Sequence, residues 1–300
     1  MDLSHLGGWE YRPKDIEAVM QKLPYPVFSD IWTPIKGTGK GKIVVLTDII
    51  EKVTGKFETR VQTIGDCVSM GTALGVDIAK AVDIYIKGDF EEWIAETSTE
   101  EIYAGGRIII GRGGIGYNDG CVGAWAAKFI NQYGALPRGK YGNVDTTKYS
   151  GERARLWGRP NSGPPTSLIE ECKKHPISIT SLVKTAEEAR DLIANGYPIA
   201  VCSNQGFGNR RDSEGFSNPE GSWAHCMCAV GTRDDGRPGI LLQNSWPKSW
   251  IAGPKKFNQA EGSFWVDFET FERRMLSQSD SWAISGYTGF EPKEINTRII

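Results

Sequence analysis

Histidine is scarce in this chain: three residues, at positions 5, 175 and 225, among 300. Chemistry that calls on an imidazole therefore has few places to reside. The six cysteines, at 67, 121, 172, 202, 226 and 228, form no CxxC pair and no dense framework, which speaks against a zinc ribbon and a disulfide scaffold. No apolar run approaches the roughly 18 residues that span a bilayer, and the start, Met1 to Gly8, lacks a basic stretch followed by an apolar one. The reading is a chain without a secretory signal, in the cytoplasm or in a particle assembled there, with reduced thiols. A net charge of -2 supplies no field that would favour nucleic acid or an anionic membrane, so neither is expected as a partner.

What remains is an ordinary globular composition, 24% charged and 39% apolar, long enough for one large unit or two packed lobes. Pro13 to Leu23 reads as a short helix opened by proline, and Ile43 to Leu46 is an apolar run. Between them Gly37-Thr38-Gly39-Lys40-Gly41-Lys42 is a solvated turn, because its spacing does not fit a phosphate loop. Apolar residues recur at helical spacing from Cys67 to Ile86, and a second helix, Ala124 to Tyr133, stops at Gly134. Gly105 to Gly123, with eight glycines in nineteen residues, reads as loop. Thr185-Ala186-Glu187-Glu188 is a capping box, and after it come strand-like runs at 198–202, 226–230, 240–242, 264–268 and 282–284.

Three distant segments then carry the chemistry. Cys67 opens an amphipathic helix, His225 stands in the apolar run 224–231, and Asn244 ends another strand in Gln243-Asn244-Ser245-Trp246. A thiol, an imidazole and an amide are the parts of a nucleophilic acyl-transfer site. A metal reading of His225, Cys226 and Cys228 fails, since alternate strand residues face opposite ways.

On these residues the chain resembles the papain-like cysteine peptidases, as a divergent member of bacterial or phage type. Gly65-Asp66-Cys67 is similar to the turn before the family's nucleophile, His225 to Gly231 to its histidine strand, and Asn244-Ser245-Trp246 with Trp250 to its asparagine segment. Asp119 to Gly123 resembles the glycine-rich wall of the substrate groove, and Asn195 to Val201 the entry to the β lobe. The resemblance implies a two-lobed α+β fold, a helical lobe and an antiparallel β half-barrel lobe with a cleft between. Residues 1–57 would be an N-terminal extension packing on the body, 58–165 the helical lobe with the nucleophile, and 166–300 the β-rich lobe.

It further implies peptide-bond hydrolysis through a cysteinyl acyl-enzyme, with Cys67 as nucleophile, His225 as general base and acid, Asn244 as orienting residue and Gln62 as oxyanion donor. Gly120, Val122, Gly123, Ala124 and Trp246 would contact a peptide or protein substrate, with no cofactor and no metal. The sequence departs from the pattern in places: Gln62 precedes Cys67 by five residues rather than six, Val68 replaces an aromatic residue, and Pro247 replaces a glycine. Residues 1–57 do not look like the family's long helical propeptide. These departures motivate an alternative, a peptidase-like scaffold serving assembly or peptide binding, and a third reading, acyl transfer on a non-protein substrate.

Overall fold

The computed structural model describes residues 3–87, 93–286 and 289–295. In chain order, helix α1 (Pro13–Met20) precedes strand β1 (Ile43–Val45) and helix α2 (Thr47–Thr54). The long α3 (Cys67–Lys87) follows, then α4 (Glu100–Ala104), α5 (Gly123–Tyr133), the small ribbon β2 (Lys140–Tyr141) and β3 (Val144–Asp145), α6 (Gly151–Trp157) and α7 (Thr166–Cys172). The second half is mostly sheet: β4 (Ile179–Leu182), α8 (Ala186–Ala194), β5 (Ile199–Arg211), β6 (Ser217–Arg233), β7 (Gly239–Gln243), β8 (Ser263–Asp267) and β9 (Ser281–Ser285).

The main sheet is antiparallel in the order β4-β9-β5-β6-β7-β8, with β1 added to β6 through Ile43↔Arg233 to Val45↔Gly231. Two cores flank it. One gathers α2, α8 and an interior of the sheet around Leu46, Val230, Leu241, Trp265 and Phe271. The other gathers α1, α3 and α5 around Val68, Val76, Phe129 and Ile130, and takes in Cys67, Cys121, Cys202 and Cys226. No helix among the described residues is long and apolar enough to cross a membrane.

Most sequence-read elements form where the periodicity places them, and Thr185 and Glu188 make both bonds of the capping box at the start of α8. Two differ. Residues 105–110, read as loop from their glycines, continue α4 as a widened helical turn. Gly105 and Gly106 stand against the Phe129 ring and the Cys121 sulfur, where a β-carbon would not fit, so these glycines serve close packing rather than a turn. Strands β5 and β6 also run well past their apolar cores into a polar hairpin, held by Gln205↔Ser222, Phe207↔Pro219 and Arg211↔Ser217 with shifts in register between them.

Candidate active site

The helix that begins at Cys67 lies close on β6 because its facing positions are small. A β-carbon at Gly71 would stand 3.2 Å from both the Cys226 sulfur and the Met227 carbonyl, and one at Gly75 would meet Ile284. Cys67, one turn earlier on the same face, lies beside Cys226, and neither ring nitrogen of His225 is hydrogen-bonded to it. The turn before it is tied down by the Asp66 carbonyl, which accepts from Ser69 N, Met70 N and Ser69 Oγ. Cys67 is fully buried. Burial pushes its thiol well above the ordinary range, the thiol of Cys226 and the Asp66 carboxyl act in the same sense, and the backbone N–H groups of Cys226 and Gly8 oppose them.

His225 sits on β6 and Asn244 just past the end of β7, strands that pair through Cys228↔Gln243. His225 Nε2 lies 2.8 Å from Asn244 Oδ1. The same oxygen accepts from Ser245 N at 2.7 Å, which fixes the amide's orientation. An oxygen that only accepts requires Nε2 to carry the ring proton, so in the neutral ring Nδ1 keeps its lone pair. Nδ1 has no hydrogen-bond partner. Trp246 covers the imidazole at 4.6 Å between ring centres, and Trp223 and Trp250 close around Trp246 at 4.7 and 5.3 Å. Burial draws the imidazole down to about 4, against its hydrogen bond to Asn244. Near neutral pH the two groups are thus a thiol and a neutral imidazole, not an ion pair.

The reason lies in the cleft, which the chain's own N-terminus fills. The N–H groups of Gly8 and Trp9 donate to Ala224 O, the residue before His225, at 3.0 and 3.2 Å. On the other side Cys121 N donates to Gly8 O at 2.8 Å and Glu10 N to Cys121 O at 3.0 Å, so residues 8–10 lie parallel to this wall and bridge it to β6. Trp9 Nε1 reaches the buried Asp280 carboxylate at 2.8 Å. At Gly8 no side chain is possible: a β-carbon would collide with the Gly65 carbonyl.

Gln62 is drawn into the same contact. Its amide nitrogen donates to Leu6 O at 2.9 Å and Ile64 O at 2.8 Å, and its oxygen accepts from Ser245 Oγ at 2.6 Å. Both amide hydrogens are therefore spent, and in this closed form Gln62 offers no free donor to an oxyanion, contrary to the role the resemblance implies. The shortened turn lets its amide fold back onto the Ile64 carbonyl two residues on.

The groove wall needs a correction as well. Pairing with an extended chain falls on Cys121, with Gly120 turned toward Gly8 O. The N–H groups of Gly123 and Ala124 are taken by Asp280 at 2.8 and 2.7 Å, and Val122 is fully buried in the core. Gly123 and Ala124 thus have no free N–H to offer an extended chain here, and the Val122 side chain does not reach the surface. Sequence reading missed Trp9, Trp223 and Asp280. Trp223 could have been found, since it lies two residues before His225 on the same strand face; Trp9 and Asp280 carry no local signal. Among the described residues no cluster of metal-ligating side chains is present, and all six cysteines are free and buried.

Solved structures similar to this chain include cysteine proteases. Xylellain, from Xylella fastidiosa, is 19% identical, with a TM-score of 0.56 over 95% of this chain and 98% of its own. The proform of Amb a 11, a ragweed pollen allergen, is 12% identical with a TM-score of 0.55 over 98% of this chain and 77% of its own. ProCathepsin B S9 from Trypanosoma congolense is 13% identical with a TM-score of 0.52 over 93% and 86%. The fold is papain-like. No family model matches the sequence, and no curated protein does.

Proposed function

We propose that the chain is a cysteine peptidase that hydrolyses peptide bonds through a cysteinyl acyl-enzyme, and that residues 6–10 hold it closed. The observation that carries this reading is His225, with Nε2 fixed on Asn244 and an unpartnered Nδ1 lone pair under a tryptophan cover. In the proposed reaction Nδ1 takes the Cys67 proton, the thiolate attacks the substrate carbonyl carbon, and the imidazolium returns the proton to the leaving amine. Water then attacks the acyl-enzyme, again with His225 as base. Asn244 keeps the ring in the tautomer this sequence needs. Once Leu6 leaves, one Gln62 hydrogen is released and can join the Cys67 backbone N–H at the oxyanion.

The segment acts as a blocker in this reading: its Gly8 and Trp9 N–H groups are held by Ala224 O and its Gly8 carbonyl by Cys121 N, one on each side. The test is hydrolysis of a fluorogenic peptide library by the Trp9→Ala chain, in which the segment loses its bond to Asp280. Turnover that disappears on adding Cys67→Ala supports the proposal. A second reading, a peptidase-like scaffold without turnover, is favoured by the filled cleft and the spent Gln62 amide. A folded Trp9→Ala protein that binds peptides yet cleaves none would decide for the scaffold.

A further inference from the structure

Directly before Cys67 stands a carboxyl group that the reaction above does not use. Asp66 is fully buried at the head of α3. One oxygen accepts from the Tyr149 hydroxyl at 2.9 Å, and the other, Oδ1, has no partner. The Tyr149 oxygen in turn receives the Thr63 N–H at 3.2 Å and lies 3.3 Å from Thr63 Oγ1. Tyr149, from the connection between β3 and α6, thus clasps both ends of the turn 63–66, the turn that joins Gln62 to the nucleophile.

We infer that Asp66 and Tyr149 form a positioning pair for this turn, and that the pair holds Cys67 in its reactive setting only while Asp66 is neutral. The inference rests on Cys67 being the nucleophile. Around Asp66, α4 contributes Glu100 and Tyr103, the loop before α5 contributes Asp119, and the turn itself contributes Cys67. The nearby cations are committed elsewhere: Arg138 and Arg153 to Glu100, Arg155 to Asp119, and Arg107 to the carbonyls of Gly116, Asn118, Gly120 and Gly158. Among the described residues no cation bridges to Asp66. A buried carboxyl with one donor, an empty second oxygen and two acidic neighbours is held neutral by its surroundings. Burial accordingly lifts it to about 8, against the Tyr149 hydrogen bond, with Glu100 and Asp119 adding to the rise. Its ionisation would set a negative charge beside the sulfur and oppose the thiolate.

The test follows the rate of Cys67 alkylation by iodoacetamide against pH, read by mass spectrometry, in the full chain and in the full chain carrying Gly8→Val to displace the N-terminal segment. The expected profile of the natural residue climbs with pH but inflects near 8, where Asp66 ionises. Asp66→Asn should remove the inflection and react faster by about fivefold or more at pH 9.5, since a like charge so close shifts a thiol by on the order of one unit. Tyr149→Phe, which deletes a bond to the charged form, should move the inflection upward. Profiles of Asp66→Asn and Tyr149→Phe that superimpose on the natural one, with Cys67 labelled normally, overturn the inference alone. A Cys67 that no pH makes reactive in either background removes the catalytic reading and this inference with it.

Discussion

His225 and Asn244 make the sharpest claim at the level of single residues. Because the Asn244 oxygen sets the imidazole tautomer, Asn244→Ala should lower kcat of the opened enzyme by about tenfold or more while leaving KM nearly unchanged, the pattern of a group that acts in the transition state. Steady-state kinetics on one peptide would check this, and a change confined to KM would contradict it. The buried titratable groups also make stability depend on pH. Asp66 and Glu101 are raised by burial to about 8 and about 7, so the native state keeps protons that the unfolded chain releases above its ordinary carboxylate range. Their contribution is full at low pH and is lost as pH rises toward those values. His225, depressed to about 4, works oppositely, with its contribution present above 6.5 and lost below. Between pH 6.5 and 8 only the carboxyls still act, so stability should fall there, and Asp66→Asn should flatten the fall in denaturant titrations at stepped pH.

At the scale of elements, the sequence was legible where one physical signal decided the outcome. The helix of α3 follows from its apolar period, the start of α8 from Thr185 and Glu188, and the strands from short apolar runs. Residues 105–110 were not legible, because glycine reads as turn unless one knows that Phe129 and Cys121 press on it from another helix. The polar distal halves of β5 and β6 hide for a similar reason: each is a strand only because the other pairs with it. The N-terminal segment is the extreme case, since residues 6–10 have no pattern of their own and take their extended form from Cys121 and Ala224 on either side. That dependence yields a prediction. Gly8→Val cannot be seated beneath the Gly65 carbonyl, so the segment should leave the cleft and proteolysis with chymotrypsin should cut after Trp9, which is buried in the native chain, well before the body is attacked. Unchanged protection of Trp9 would show that the segment is held by something other than this fit.

Beyond the segment the chain is built into the body of the molecule. Behind it, α1 buries Ile16 and Val19, Phe28 and Ile35 are fully buried, and β1 is a strand of the main sheet. We propose that residues 13–57 are structurally part of the body and that residues 3–12 can leave it. Deleting residues 2–11 should leave thermal unfolding cooperative with Tm lowered by no more than a few degrees, whereas deleting 2–57 should abolish a cooperative transition. Calorimetry of both truncations would check the division. The pairing of His225 with Asn244 was legible in the sequence because histidine occurs only three times in this chain. Their closure was not, because it depends on a contact between residues more than two hundred positions apart.

We propose Cys67 as a nucleophile held closed by the chain's own N-terminus. Intact mass measurement after exposure to an electrophilic peptide probe tests it most directly, on the natural chain, Gly8→Val and Gly8→Val with Cys67→Ala. Labelling should be slow in the natural chain, rapid to one probe per chain when Gly8 is replaced, and absent when Cys67 is also removed. Equal labelling of the natural and Gly8→Val chains, or labelling that survives the loss of Cys67, would contradict it.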